Sequence, residues 1–171
     1  MPEHGSANNR IRNFLKRDAT LWSSFIATVV MTVGFVAIMR IWDFEIIDEM
    51  WNRQAIIDHV RNMTATQRAV HAWTTGTLDV AYPIAYSVLF IGIALRFFPR
   101  AGPWLALPSI LVAPVDLIEG FSQVMILNGD MSFLSVKAWA TPIKLILFSM
   151  GLGVAILALV AGGFRRIRRS P

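Results

Sequence analysis

The sequence predicts an all-α protein of the polytopic membrane class: a bundle of four transmembrane helices with an outer interfacial amphipathic helix. Three observations predict it. The first is composition. Of 171 residues, 55% are hydrophobic and only 16% charged, and mean hydropathy is +0.54. Soluble domains carry about 25% charged residues, so this chain has too little polar surface to keep its mass in water. The second is the recurrence of apolar runs of the length that a hydrocarbon core about 30 Å thick demands, about 20 residues each. The third is where the formal net charge of +5 resides. Basic residues cluster at the ends of the apolar runs, as topology signals do. These features exclude a soluble enzyme, a disordered chain and a disulfide scaffold. With no cysteine, thiolate metal ligands and a cysteine nucleophile are excluded too.

The elements follow in order. Residues 1–20 form a basic N-terminus whose first dozen residues are expected to be disordered. The first span covers about residues 21–42, too long and without the cleavage site of a removable signal peptide, so it reads as a signal anchor. Residues 43–72 make the one long connection. There Ile46, Ile47, Met50, Ile57 and Val60 recur at helical spacing, which predicts an amphipathic helix on the outer surface, anchored by Trp42 and Trp51. It reads as a cover for the bundle end or as a lid over an outward-facing site. Asp43, Glu45, Asp48 and Glu49 lack an EF-hand pattern and read as a solvated acidic face. The Asn62-Met63-Thr64 triplet fits the glycosylation pattern, without other support. The remaining spans cover about 73–98, 104–127 and 141–164, and residues 165–171 form a basic tail.

The basic residues orient the bundle. Arg10, Arg12, Lys16 and Arg17, then Arg96 and Arg100, then Arg165, Arg166, Arg168 and Arg169 share one side if the spans alternate. By the positive-inside bias both termini are cytoplasmic, in a cell (inner) membrane. The basic tail is therefore a flank suited to anionic lipid headgroups, and no nucleic-acid partner is expected.

Ionisable residues inside spans are costly and are functional candidates by default. The second span carries Asp79, Tyr82 and Tyr86, and the third carries Asp116, Glu119 and Gln123. Each set shares one helix face. The tight turn around Pro99 to Pro103 makes the two spans an antiparallel hairpin, and the sums of residue numbers match rung for rung. The expected pairs are Tyr86 to Asp116, Tyr82 to Glu119 and Gln123 to Asp79. Asp116 lies near the midplane, where a lone carboxylate is normally protonated, hydrogen-bonded or paired.

Lys144 is the only basic residue this pattern brings to the face, and two readings stay open. In one, Thr141 is an N-cap, Pro142 is the first helical residue, and Lys144 snorkels to the interface. In the other, the helix starts near Ser135, Lys144 points inward at Glu119 or Asp79, and Ser149 can join. Three acids against one lysine leave an excess of two negative charges if all are ionised, unless a proton, a metal cation or a cationic ligand offsets it. Pro83 and Pro114 free carbonyls beside this network, while Pro108 reads as an ordinary membrane-helix proline. Ser24, Thr28 and Thr32 form a small ridge on span one, and Gly151, Ala155, Ala158 and Gly162 form one on span four. These suit packing of spans one and four, or a homodimer. His4, His59 and His71 fall outside the expected spans without metal-ligand spacing, so neither a metal nor another cofactor is expected. Nucleotide-loop and serine-elbow motifs are missing.

D-x-x-Y-P-x-x-Y (Asp79, Tyr82, Pro83, Tyr86), D-x-x-E (Asp116, Glu119) and T-x-x-K (Thr141, Lys144) in successive spans resemble small bacterial four-helix integral membrane proteins of unassigned function. The resemblance covers the last three spans and implies that these residues form one unit. A looser architectural likeness links the chain to EXPERA-type sterol isomerases, which hold acids inside a helical bundle. The function expected first is an intramembrane binding protein or enzyme for a small amphipathic or lipid-soluble molecule. In it Asp116, Glu119 and Asp79 do acid/base or cation-stabilising work, and Tyr82, Tyr86, Gln123, Lys144, Ser149 and Thr141 line the ligand site. The alternatives are a proton- or cation-coupled transporter, or an assembly subunit whose polar network fixes helix packing.

Overall fold

The computed structural model describes residues 4–167, with side chains over 9–162. The chain is all-helical among these residues. Its elements are α1 (His4–Leu15), α2 (Asp18–Trp42), α3 (Arg53–Asn62), α4 (Ala65–Phe97), α5 (Gly102–Leu105), α6 (Leu107–Leu127) and α7 (Leu134–Ile167), with a 3-10 turn at Met131–Phe133. Four segments are long and apolar enough to cross a membrane: Asp18–Trp42, Ala65–Phe97, Gly102–Leu127 and Met131–Gly162. The expected four-helix, all-α architecture is thus present. The basic residues Arg168 and Arg169 of the tail lie outside the described residues.

Several boundaries move, each for a local reason. The N-terminus is helical from His4 rather than disordered. Helix α4 begins eight residues before the expected span. Thr64 caps it in a reciprocal capping box with Gln67, the hydroxyl accepting from Gln67 N at 3.2 Å and the Gln67 side chain accepting from Thr64 N at 2.9 Å. Thr64, part of the triplet that fits a glycosylation pattern, is therefore a helix cap. Helix α7 starts at Leu134, so Pro142 is interior and Thr141 is no cap. The amphipathic helix is only ten residues long. It is capped by Asn52, which accepts from Ala55 N at 3.1 Å. Residues 43–52, expected as part of that helix, are irregular. They follow a left-handed turn at Asp43 (φ 48°) that ends α2.

Helix α4 is the hub. It packs against α2, α6 and α7, and α6 also packs against α7. The apolar length of α2 is exposed almost throughout, while α4 and α6 are much more enclosed. Packing of spans one and four, expected from their small-residue ridges, is not what these ridges do. The stripe on α7 faces α4 and α6: a Cβ at Gly151 would stand 2.5 Å from Ser109 Oγ, and one at Gly162 2.2 Å from a Phe97 ring carbon. Ala155 and Ala158 are buried in the same seam. Close backbone approach is what small residues provide when no hydrophobic force separates helix from lipid.

Two apolar clusters bracket the bundle. One gathers Phe44, Ile47, Ile56 and Val60 of the connection onto Ile126, Leu127 and Leu134 at one end. The other joins Tyr86, Leu89, Phe90, Ile93, Val112, Ala155 and Ala158 lower down. Between them, in chain order along α4, α6 and α7, lie the buried polar residues. Gly92 marks the tightest approach of the hub to another segment's backbone, where a Cβ would stand 2.4 Å from the Leu15 carbonyl oxygen. Backbone cannot swing aside as a flexible side chain does. Gly92→Ala is expected to lower stability by about 1–3 kcal/mol, read as a lower midpoint in thermal unfolding of the detergent-solubilised protein.

Candidate functional site

The site is built around Glu119, which is fully buried. A carboxylate removed from water needs charged or polar partners, and Glu119 has three. Lys137 Nζ donates to Oε1. Thr141 Oγ1 donates to the same oxygen at 3.0 Å. Lys144 Nζ donates to Oε2 at 3.0 Å. Lys137, Thr141 and Lys144 lie on one face of α7 at helical spacing. Of the two readings of Lys144, the inward one holds: its side chain is 6% exposed.

Lys137 is the residue that sequence reasoning missed. It falls between the expected third and fourth spans and so reads in sequence as part of an outer loop, yet it is fully buried. Its ammonium also donates to Gln123 Oε1 at 3.0 Å, which fixes the amide. Gln123 Nε2 then faces Thr75 Oγ1 and His71 Nε2, both at 3.1 Å. An amide NH₂ only donates, so His71 Nε2 accepts and the ring proton sits on Nδ1. That Nδ1 has no hydrogen-bond partner. His71 lies within α4 rather than outside the spans, fully buried and stacked on Phe44 at 5.1 Å.

The three expected rungs fare differently. Tyr86 donates to Asp116 Oδ2 at 2.6 Å, as expected. Gln123 does not reach Asp79, because Lys137, His71 and Thr75 take its amide. Tyr82 does not reach Glu119; its hydroxyl is hydrogen-bonded to Thr32 of α2 at 3.2 Å. Ser149 is exposed and outside the network. Asp48, expected on a solvated acidic face, instead turns into the bundle and accepts from Lys144 at 2.8 Å. Lys144 also lies 3.3 Å from Asp116 Oδ1. One ammonium thus serves Asp48, Asp116 and Glu119 together.

A cavity of about 300 Å³ opens beside this network. Asp48, Asp79, Asp116, His71, Gln123 and Lys144 line its polar part. Phe35, Val36, Met39, Leu145 and Phe148 line its apolar part, with Tyr82 and Tyr86 between them. Tyr86 meets Phe148 edge-on at 5.1 Å and Tyr82 at 5.2 Å. The apolar part includes α2 residues, so α2 forms one wall. Carboxylate oxygens of Asp48, Asp79 and Glu119 lie within 4.8 Å of one another. Histidine spacing gave no reason to expect a metal, and this grouping is of carboxylates alone. Both Glu119 oxygens already receive ammonium donors, which a metal ion would have to displace.

No family model, curated protein or solved structure matches the chain.

Two consequences are measurable. Lys137→Met strips the fully buried Glu119 of one of its two cations. A loss of about 3–5 kcal/mol is expected, and Lys137→Met combined with Glu119→Gln should recover part of it in the same unfolding assay. The second concerns Asp48, in the connection. Burial pushes its carboxyl up, but the charge and hydrogen bond of Lys144, with the charge of Lys137, outweigh that and hold it below the ordinary carboxylate value. Its contribution to docking residues 44–52 is therefore fully present above the ordinary value, about pH 4, and is lost as pH falls through the depressed value. Hydrogen-exchange protection across residues 44–52, taken relative to the intrinsic rate at each pH, should be high at neutral pH and fall under acid, and Asp48→Asn should remove that fall.

Proposed function

We propose that the chain is a multi-pass membrane protein, both termini cytoplasmic, that binds a small amphipathic or lipid-soluble molecule inside its helical bundle. The carrying observation is the cavity itself, which places buried, incompletely satisfied polar groups directly against an aromatic and aliphatic wall. Ligand sites are mostly apolar with a few convergent polar groups, and this volume falls at the lower end of their range of about 300–1,000 Å³. A purely structural network accounts for Glu119 and its lysines, but it gives no reason for Asp79. Asp79 lines the cavity and draws no hydrogen bond from the described residues. Asp116 and Asp79 are the groups placed to meet a ligand, with Tyr86 orienting Asp116. The charge bias of the flanks supports the orientation, and the likeness to small bacterial four-helix membrane proteins supports reading the acids as one unit.

Co-purification tests the binding reading. Protein extracted in mild detergent should carry a small molecule identifiable by mass spectrometry, and Val36→Trp, which projects bulk at the half-open α2 wall (Val36 is 47% exposed), should deplete it without lowering the unfolding midpoint. Equal recovery from both proteins would remove the cavity from consideration. Orientation is tested separately. Because the chain has no cysteine, single cysteines at Arg10 and His59 should label from opposite sides of a sealed vesicle.

A further inference from the structure

Four carboxyls, Asp48, Asp79, Asp116 and Glu119, share this site with two ammoniums, Lys137 and Lys144. If all are ionised, two negative charges remain unmatched. Where they fall decides what the cavity accepts. Lys137 is spent on Glu119, Gln123 and Thr141. Lys144 is shared by Asp48, Asp116 and Glu119. The deficit therefore does not lie on Glu119. Three of the acids line the cavity: Asp48 and Asp116 share the Lys144 ammonium, and Asp79 has no such partner, so the deficit falls first on Asp79 and next on Asp116, which reaches that ammonium at 3.3 Å against 2.8 Å for Asp48. Asp116 keeps Oδ2 for Tyr86, while its buried Oδ1 has no hydrogen-bond partner among the described residues and only the shared Lys144 ammonium at 3.3 Å. Asp79 is 8% exposed and carries neither hydrogen bond nor ion pair from the described residues.

Resting on the binding reading above, we propose that the cavity takes a molecule with one protonated amine and an apolar body. The ammonium is held between Asp79 and Asp116 Oδ1, and the body lies against Phe35, Met39 and Phe148. An ammonium offers up to three N–H donors, which suits the open carboxylate of Asp79 together with Asp116 Oδ1, whose one cation is shared with two other acids. Tyr82 and Tyr86 line the same cavity, and aromatic rings add favourable surroundings for a desolvated cation. A bare divalent cation fits less well. It demands several oxygen ligands, while both Glu119 oxygens and Asp48 Oδ2 already accept from ammoniums that a metal ion would have to displace.

The test uses the full chain in nanodiscs of uncharged lipid, at a pH where the probe amine is protonated. Three probes share one skeleton: phenylbutylamine, phenylbutanol and phenylbutanoate. Binding is read against empty nanodiscs. The amine should bind at least about tenfold tighter than the alcohol, and the carboxylate weakest. Asp79→Asn should bring the amine down to the level of the alcohol without weakening the alcohol. Asp116→Asn, whose side-chain oxygen still accepts from Tyr86, serves as a second variant should the first fail to fold. Amine and alcohol binding alike would overturn the inference and leave the cavity reading standing. No probe binding above the empty discs would overturn both. Magnesium or calcium alone raising the unfolding midpoint in an Asp79-dependent way, with no effect of the amine, would overturn it in favour of a metal site.

Discussion

A single buried carboxylate organises the bundle. Glu119 sits where no water reaches it, and an ionised carboxylate there is tenable only with cations and donors supplied by the protein. Helix α7 supplies them from Lys137, Thr141 and Lys144, which ties α6 to α7 in rotation and in register. The same two lysines then reach outward. Lys137 fixes the amide of Gln123, and through it the tautomer of His71 on α4. Lys144 draws in Asp48 and with it the irregular segment of the connection. Ile47 beside Asp48 then completes the apolar cluster that closes this end. Three helices and a loop are thereby referred to one charge.

That arrangement separates roles among acids that look equivalent in sequence. Glu119 is saturated and holds the fold. Asp48 is the loop's tether. Asp116 and Asp79 are under-supplied with donors although they sit in the same network. The difference arises because α7 presents its ammoniums on one face only. Lys137 and Lys144 are seven residues apart, two turns, and their long side chains converge on the two oxygens of Glu119. Asp79, on α4, lies near the same oxygens but has no hydrogen-bond or ion-pair partner among the described residues. The unmatched charge is therefore localised by helix geometry.

Much of this was legible from spacing. The faces Asp79/Tyr82/Tyr86 and Asp116/Glu119/Gln123 do meet across the hairpin, and the Tyr86–Asp116 rung forms at 2.6 Å. The other rungs fail for identifiable reasons. Three residues of helix advance the face by about 300°, so Tyr82 falls about 60° from the direction of Asp79. That rotation is enough to turn it toward Thr32 on α2. Gln123 had a stronger offer than Asp79, since an ammonium donor makes a charge-assisted bond to its oxygen. Lys137 went unseen because Thr141-Pro142 looks like a helix start, which assigns everything before it to a loop. His71 reads as lying outside the span for the opposite reason: the start signal is there, in the T-x-x-Q box at Thr64 to Gln67, but hydropathy begins later than the helix does. Asp48 was not legible at all. Its partner is 96 residues away, and no local pattern distinguishes an acid that will fold inward from its solvated neighbours.

The cavity's walls differ in how firmly they are held, and this bears on how its contents can exchange. Opening the end would separate Asp48 from Lys144 and expose Ile47, Ile56 and Val60, which are buried. It would also unmake the stacking of Phe44 on His71. Moving α2 breaks much less. Its main packing partner is α4. Among the described residues its polar links to the bundle are the Thr32–Tyr82 hydrogen bond, the donation of Gln67 to the Trp42 carbonyl and the Asp18–Arg96 ion pair, all exposed. Exposed ion pairs contribute about 0–1 kcal/mol, far below the burial of several aliphatic side chains at about 1.5–3 kcal/mol each. The α2 side, which faces lipid if the bundle lies in a membrane, is therefore the wall of least resistance, and an apolar body would leave it without crossing a polar seal.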